Sequence, residues 1–208
     1  MEKFSIIEKP IPRNDALEKV TGKAGYLNDI SLPGMLYGKI LRSPYPHAQI
    51  LEVDTREAER LSGVRMVITG KHVPEIKFSF MQELADKYIL CKEKVRYVGD
   101  EVAAVAALDA QTAERALSLI RVKYNELEPV FDPEKALQEN APKLHDSQSN
   151  IAYEVHREFG DVEKGFAEAD RIFDDEFRTS MVAHCCMEPR GCIADYSMGG
   201  RLTLWSPT

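Results

Sequence analysis

Apolar and polar positions alternate over short stretches of this chain, and changes in the period mark out its elements. Residues 36–41 and 49–53 have the alternating or apolar character of strands, separated by the turn-rich Ser43-Pro44-Tyr45-Pro46, and the two are expected to pair if that loop reverses the chain. Asp54 offers a helix N-cap, Glu57 follows at the spacing of a capping box, and Ala58 with Leu61 opens an apolar face. Gly63 ends that short helix, and a strand is expected over 64–69, closed by Gly70. The same order of elements then returns: an apolar run over 101–108, a helix capped by Asp109, and a strand over 121–124. On the second helix Ala110, Ala113, Ala116, Leu117 and Ile120 recur at helical intervals and predict one buried stripe. Asp54 leads to Ala58-Glu59-Arg60 just as Asp109 leads to Ala113-Glu114-Arg115. The shared spacing reads equally as a duplication or as a coincidence of common helix formers.

Strands interleaved with short helices predict an α+β fold, one mixed α/β domain with helices packed on a sheet, over residues 15–127. Residues 1–14, with Pro10 and Pro12, show no period and are expected to form an extended arm. Residues 128–150 read as a linker, polar from 131 onward and carrying Pro133, Asn140 and Pro142, with one helical stretch at 134–138. A second region is expected over 151–208. In it, 151–159 and 171–179 are predicted strands enclosing a helix capped by Asp161, with Val162, Phe166 and Ala169 on one face. A hairpin is predicted from 191–196 and 201–205 across Ser197-Met198-Gly199-Gly200. A last strand this close to Thr208 is what a domain cut short would show. Its apolar faces are then expected to drive self-association into an oligomer.

Composition narrows the function classes. The 208 residues are 44% hydrophobic and 29% charged, as in ordinary folded proteins. A formal net charge of −7, with Lys and Arg scattered among acids, argues against a nucleic-acid partner, because phosphate binding relies on clustered cations. The start Met1-Glu2-Lys3-Phe4-Ser5 has no basic segment leading into an apolar core, and the longest apolar run, 102–108, is too short to cross a bilayer. A cytoplasmic protein without membrane contact is expected. Cys91, Cys185, Cys186 and Cys192 form no CxxC pair, so structural disulfides are not expected.

Common catalytic templates are missing. There is no GxGxxG, no GxxxxGK[ST] and no GxSxG, and Thr21-Gly22-Lys23-Ala24-Gly25 reads as a plain turn. His184-Cys185-Cys186 with Cys192 is the nearest approach to a metal or thiol site. Neighbouring side chains on a strand point to opposite faces, so buried, unreactive thiols are the favoured reading. His47, His72, His145 and His156 each lack an obvious partner and read as structural or surface residues. Asp100 and Glu101, entering the apolar run after Val98-Gly99, read as a polar turn.

A family resemblance emerges when further segments are taken in order: Gly25-Tyr26 with Asp29, Leu32-Pro33-Gly34-Met35-Leu36, and Arg42-Ser43-Pro44-Tyr45-Pro46-His47-Ala48. It continues with Val95-Arg96-Tyr97-Val98-Gly99-Asp100-Glu101-Val102-Ala103, Gly160-Asp161-Val162-Glu163, and His184 with Met187-Glu188-Pro189. From about residue 15 the chain resembles the N-terminal portion of the molybdenum-binding large subunit of molybdenum hydroxylases, the xanthine dehydrogenase and aldehyde oxidase family.

The resemblance implies an α/β-hammerhead domain followed by the truncated start of a molybdopterin-binding domain. It implies an oxidoreductase that hydroxylates a substrate carbon with oxygen from water, using a molybdopterin-type molybdenum cofactor, with electrons leaving through iron-sulfur clusters and FAD on partner subunits or domains. The implied partners are the remainder of the molybdenum subunit, the iron-sulfur and FAD subunits, and a small-molecule substrate. The family's cofactor-contacting glutamine, glycine-rich loop and catalytic glutamate all correspond to positions beyond Thr208. No catalytic, cofactor-binding or metal residue is therefore assigned to the chain, no cofactor is expected bound to it alone, and His184, Met187 and Glu188 receive no chemical role. Purines, aldehydes, carbon monoxide, nicotinate and aromatic thioesters are all left open as substrates. Two other classes stay open: a non-catalytic hammerhead module for binding or assembly, and a small thiol or metal enzyme built on His184, Cys185 and Cys192.

Overall fold

The computed structural model describes residue 7 and residues 9–79, 81–145 and 149–207. In chain order its elements are α1 (Ala16–Val20), β1 (Tyr37–Arg42), β2 (Ala48–Asp54), α2 (Arg56–Glu59), β3 (Val64–Thr69), β4 (Lys77–Phe78), β5 (Lys87–Tyr88), β6 (Lys94–Val95), β7 (Glu101–Ala107), α3 (Ala110–Leu119), β8 (Arg121–Glu126), α4 (Pro133–Ala136), α5 (Val162–Glu168), β9 (Ile193–Tyr196) and β10 (Leu202–Trp205). Two compact units result, one of residues 34–168 and one of 1–33 with 169–208. No helix among the described residues is long and apolar enough to cross a membrane.

The unit of residues 34–168 is built on two antiparallel sheets, ordered β1-β7-β3 and β6-β2-β8. The expected pairing of the first two strands does not form. Instead β1 lies against β7 and β2 against β8, because the Ser43-Pro44-Tyr45-Pro46 stretch carries the chain from one sheet to the other instead of reversing it within one. The two β-α-β units read from the sequence are interlocked: β2 and β3 flank α2, β7 and β8 flank α3, and β2 pairs with β8 while β3 pairs with β7, so neither unit pairs its own two strands with each other. The matching alanines, Ala58 on α2 and Ala113 on α3, are both fully buried in one core cluster.

Strand β7 faces a core on each side. Ala103, Val105 and Ala107 point toward the helices, joining Ala58, Val67, Ala113, Ala116 and Ile120, while Val102 joins Ala48, Cys91 and Val95. The alternation of side chains along a strand puts these positions on opposite faces, and small residues on the helix side let α3 approach closely. Ala110 departs from the expected stripe, being exposed in the first turn of α3. Asp109 caps α3 as expected, accepting hydrogen bonds from Thr112 N and Thr112 Oγ1, both at 2.7 Å. The cap of α2 is Thr55, one residue later than expected; Asp54 instead accepts from Arg56 N at 3.1 Å and from its guanidinium. That guanidinium holds the Asp54 carboxyl well below the usual carboxylate range.

Past β8 the chain is tied down rather than slack. Asn150 Nδ2 donates to Ala136 O and Pro142 O at 3.1 and 3.0 Å, its Oδ1 accepts from Leu144 N at 3.2 Å, and Arg96 Nε donates to Leu144 O at 2.9 Å. Asp132 caps α4, and Asp161 accepts from Lys164 N at 3.0 Å at the start of α5. The strands expected over 151–159 and 171–179 do not form; both stretches are exposed and carry no regular structure. A strand exists only through a neighbour, and neither stretch meets one among the described residues.

In the unit of 1–33 with 169–208, β9 and β10 form the expected hairpin, with Leu202 opposite Tyr196 and Trp205 opposite Ile193. Helix α1, which the sequence reading did not anticipate, begins after the tied pair Arg13 and Asp15. Much of the arm expected over 1–14 lies outside the described residues; 10–13 carry no regular structure.

Candidate functional site

Two of the segments singled out in the sequence meet in the unit of residues 34–168. The backbone of Ser43 donates to Asp100 O and accepts from Gly99 N, both at 2.8 Å, and Ala48 sits opposite Val95 in the sheet. Gly99 adopts φ +101°, a conformation that disfavours any side chain, and this turn delivers Asp100 and Glu101 to the crossing. Arg42 Nη1 reaches Gly99 O at 2.8 Å and Glu101 Oε1 at 2.7 Å. Lys87 Nζ lies 2.7 Å from Glu101 Oε2 and donates to the Tyr97 hydroxyl. Asp100 is buried and accepts from Arg96 N at 2.9 Å. The polar turn expected here is thus a clasp between two distant stretches of chain.

Charge in the clasp is internally matched. Partial burial raises the Glu101 carboxyl, but the opposing pull of Lys87 and Arg42 wins and holds it below the usual range. Burial likewise lowers the Lys87 ammonium, and Glu101 with Tyr97 more than restores it. The buried Cys91 thiol is pushed far up, first by burial and then by the neighbouring Asp100 carboxylate. A cavity of about 270 Å³ beside the clasp is lined by Lys87, Cys91, Arg96, Tyr97, Asp100 and His145, among others. A carboxylate tied by two cations and a protonated thiol make this a structural joint; neither is poised as a base or nucleophile.

His47, His72 and His145 find partners that the sequence could not show, while His156 and His184 are exposed. His47 Nδ1 donates to Glu128 O at 2.7 Å, and its backbone carbonyl accepts from Leu127 N at 3.0 Å, so this buried ring fixes the exit from β8. Its Nε2 is buried with no hydrogen-bond partner among the described residues. His72 Nδ1 accepts from Thr69 N at 3.0 Å. His145 Nε2 lies 3.5 Å from Asp86.

In the other unit, the Gly25–Ile30 loop closes on itself, with Asp29 Oδ2 accepting from Tyr26 N at 2.9 Å and Asp29 N donating to Tyr26 O. This loop forms one wall of a cleft of about 480 Å³ whose other wall is Met187, Glu188 and Pro189. The expectation of buried thiols fails for Cys185, Cys186 and Cys192, all exposed; only Cys91 is buried. The stretch around Cys185 and Cys186 has no strand or sheet over it to exclude solvent. Cys185 also takes φ +45°, so the extended backbone assumed for the pair is absent. No group of three or more His, Cys, Asp or Glu among the described residues is placed to hold a metal ion.

Comparison with known proteins places these segments within two family models. Residues 21–128 match the family model for the "Aldehyde oxidase and xanthine dehydrogenase, a/b hammerhead domain", and residues 144–208 match the "Molybdopterin cofactor-binding domain". The chain is 45% identical to a probable xanthine dehydrogenase subunit of Bacillus subtilis (strain 168), over 98% of this chain and 27% of that protein. It is 35% identical to the "Nicotinate dehydrogenase large molybdopterin subunit" of Eubacterium barkeri, over 97% of this chain and 47% of that protein. Among solved structures, quinoline 2-oxidoreductase from Pseudomonas putida 86 matches with a TM-score of 0.82 and 32% identity, over 95% of this chain and 26% of that one. The chain thus spans between about a quarter and a half of the length of these relatives. With a hammerhead match running from residue 21 to residue 128 of 208, the chain belongs to the aldehyde oxidase and xanthine dehydrogenase family.

Proposed function

We propose that the chain is part of the molybdenum-binding large subunit of a hydroxylase of this family. It supplies the hammerhead domain over 15–127, a tied connection over 128–150, and the opening of the molybdopterin-binding domain over 151–208. The observation that supports this reading is the joint match of the hammerhead and cofactor-domain models, in that order, in one chain. A free-standing hammerhead module would not account for the second match.

When bound, the molybdenum cofactor supplies the centre at which a substrate carbon is hydroxylated with oxygen from water. The cleft beside the loop over 25–30 does not fit that group. Molybdopterin is a phosphate-bearing anion, whereas the cleft beside the Gly25–Ile30 loop is lined by the carboxyl-bearing Asp29 and Glu188, the wrong sign to hold it. The chain's own contribution is accordingly scaffold: the clasp at Ser43, Gly99 and Glu101 fixes the hammerhead, and Arg96 with Asn150 ties the following segment to it. The cofactor pocket and the selection of a small-molecule substrate belong to the remainder of the subunit, and the iron-sulfur and FAD centres to its partners.

The test is parallel expression of these 208 residues and of the complete subunit with its partners, followed by molybdenum analysis and hydroxylase assays. Metal and turnover are expected in the complete assembly only. A metal-loaded, active 208-residue chain would refute the reading.

A further inference from the structure

Residues 151–159 carry Ile151, Tyr153, Val155 and Phe159 in one file, interrupted by Arg157, and Glu154, His156 and Glu158 in the other. In 171–179, Phe173 and Phe177 share a file that Met181 extends, with Asp175 between the two phenylalanines. Side chains two apart point to the same face of an extended chain, so each segment has the pattern of a strand with one predominantly apolar face carrying a single charge between its large apolar side chains, Arg157 or Asp175. That face is bare: Phe159 is 93% exposed, Phe173 79%, Phe177 87% and Met181 95%. Neither segment pairs with a strand among the described residues. Elsewhere in the chain an alternating strand did find a ladder, as β10 does with β9.

An occupant for each segment is suggested by the comparisons. The quinoline 2-oxidoreductase chain superposes on 95% of these residues, yet the match takes up only 26% of that chain, leaving most of its polypeptide outside. We propose that 151–159 and 171–179 are two edge strands, each completed by a strand added from polypeptide that continues this chain within the same subunit. This rests on the functional reading above. The added strands would present backbone N–H and C=O groups to the open edges and apolar side chains beside Phe159, Phe173 and Phe177. Lys or Arg on their opposite files would meet Glu154 and Glu158, or Asp174 and Glu176. A second copy of the chain is a poor occupant. Antiparallel self-pairing about the middle of 171–179 sets Asp174 against Glu176 and Asp175 against its own copy, and like charges directly opposite destabilise a ladder.

Amide hydrogen exchange read by mass spectrometry tests this on the complete subunit and on the 208-residue chain side by side, with β7 as an internal standard of protection. Amides of 151–159 and 171–179 are expected to exchange freely in the short chain and at least roughly a hundredfold more slowly in the complete subunit. Free exchange in the complete subunit would overturn the proposal. So would protection in the short chain that grows with its concentration, which would make a second copy the occupant. Molybdenum content and turnover of the same preparation separate the two claims. A loaded, active subunit with unprotected segments defeats this inference alone, while a metal-free, inactive subunit with protected segments defeats the functional reading alone.

Discussion

Replacing Gly70 by alanine should be among the more damaging changes of a single methyl group in the unit of residues 34–168. Gly70 is buried directly after β3, and a Cβ there would stand 2.7 Å from Cys91 O, 2.8 Å from Lys92 Cα and 2.9 Å from Cys91 C. All three are backbone atoms. Reaching ordinary contact means moving the Cys91 carbonyl by about 0.7 Å, from 2.7 to 3.4 Å. Neither side can yield easily, since β3 is laddered to β7 and Cys91 N donates to Glu101 O of the same strand at 2.6 Å. Overpacking of this kind costs about 1–3 kcal/mol, and pinned backbone on both sides places Gly70→Ala near 3 kcal/mol. At about 2–4 °C per kcal/mol for a chain of this size, the midpoint of thermal unfolding should fall by roughly 6–12 °C. Gly38→Ala is the control: β1 leaves nothing within 4 Å of a Cβ there, so the change should be neutral or stabilise by up to about 1 kcal/mol. Urea unfolding of the two variants and the parent, with unchanged slopes, measures both. A Gly70→Ala chain within about 0.5 kcal/mol of the parent would refute the argument.

Asp109→Ala should expose the first amides of α3, which lose their acceptor at the Asp109 carboxylate; faster hydrogen exchange at Thr112 than at Ala116 is the expected signature, and equal exchange would contradict the cap. Stability should also decline on acidification through His145. Burial first, and then Arg96 with Lys94 and Lys77, lower its pKa below the ordinary 6.5, against the opposing pull of Asp86. A base depressed in the folded state contributes fully above its unfolded value, and that contribution is lost as pH falls from about 6.5 toward the folded value. Unfolding midpoints measured from pH 7.5 downward should therefore drop less steeply for His145→Gln than for the parent, and identical profiles would remove His145 from the account.

What the sequence made legible, and what it hid, follow from the range of the interactions involved. The Asp109 cap, the extents of β3 and β7, and the β9–β10 hairpin rest on neighbours a few residues away, and all were readable. Pairing was not. Nothing local says that Ala48 will lie opposite Glu126 and Val95 rather than a residue of β1, and β4, β5 and β6, two residues each, are too short to show a period. The clasp was half visible: the segments around Arg42 and Glu101 stood out, but Lys87, drawn in from a third stretch, carried no signal of its own. The thiols misled because burial was inferred from residue type, while Cys185, Cys186 and Cys192 lie where no second layer covers them.

The interlocking of the two β-α-β repeats bears on how the chain can be made. While it is being synthesised from its amino end, β2 has no sheet partner until Lys94 and Val95 emerge, and its main partner, β8, is complete only at Glu126. β3 must likewise wait for β7. Neither repeat can close by itself on the ribosome, so half-finished chains hold β2 and β3 as unshielded edges that invite chaperones or aggregation, and the pairing of distant residues makes the final closure slow relative to helix formation.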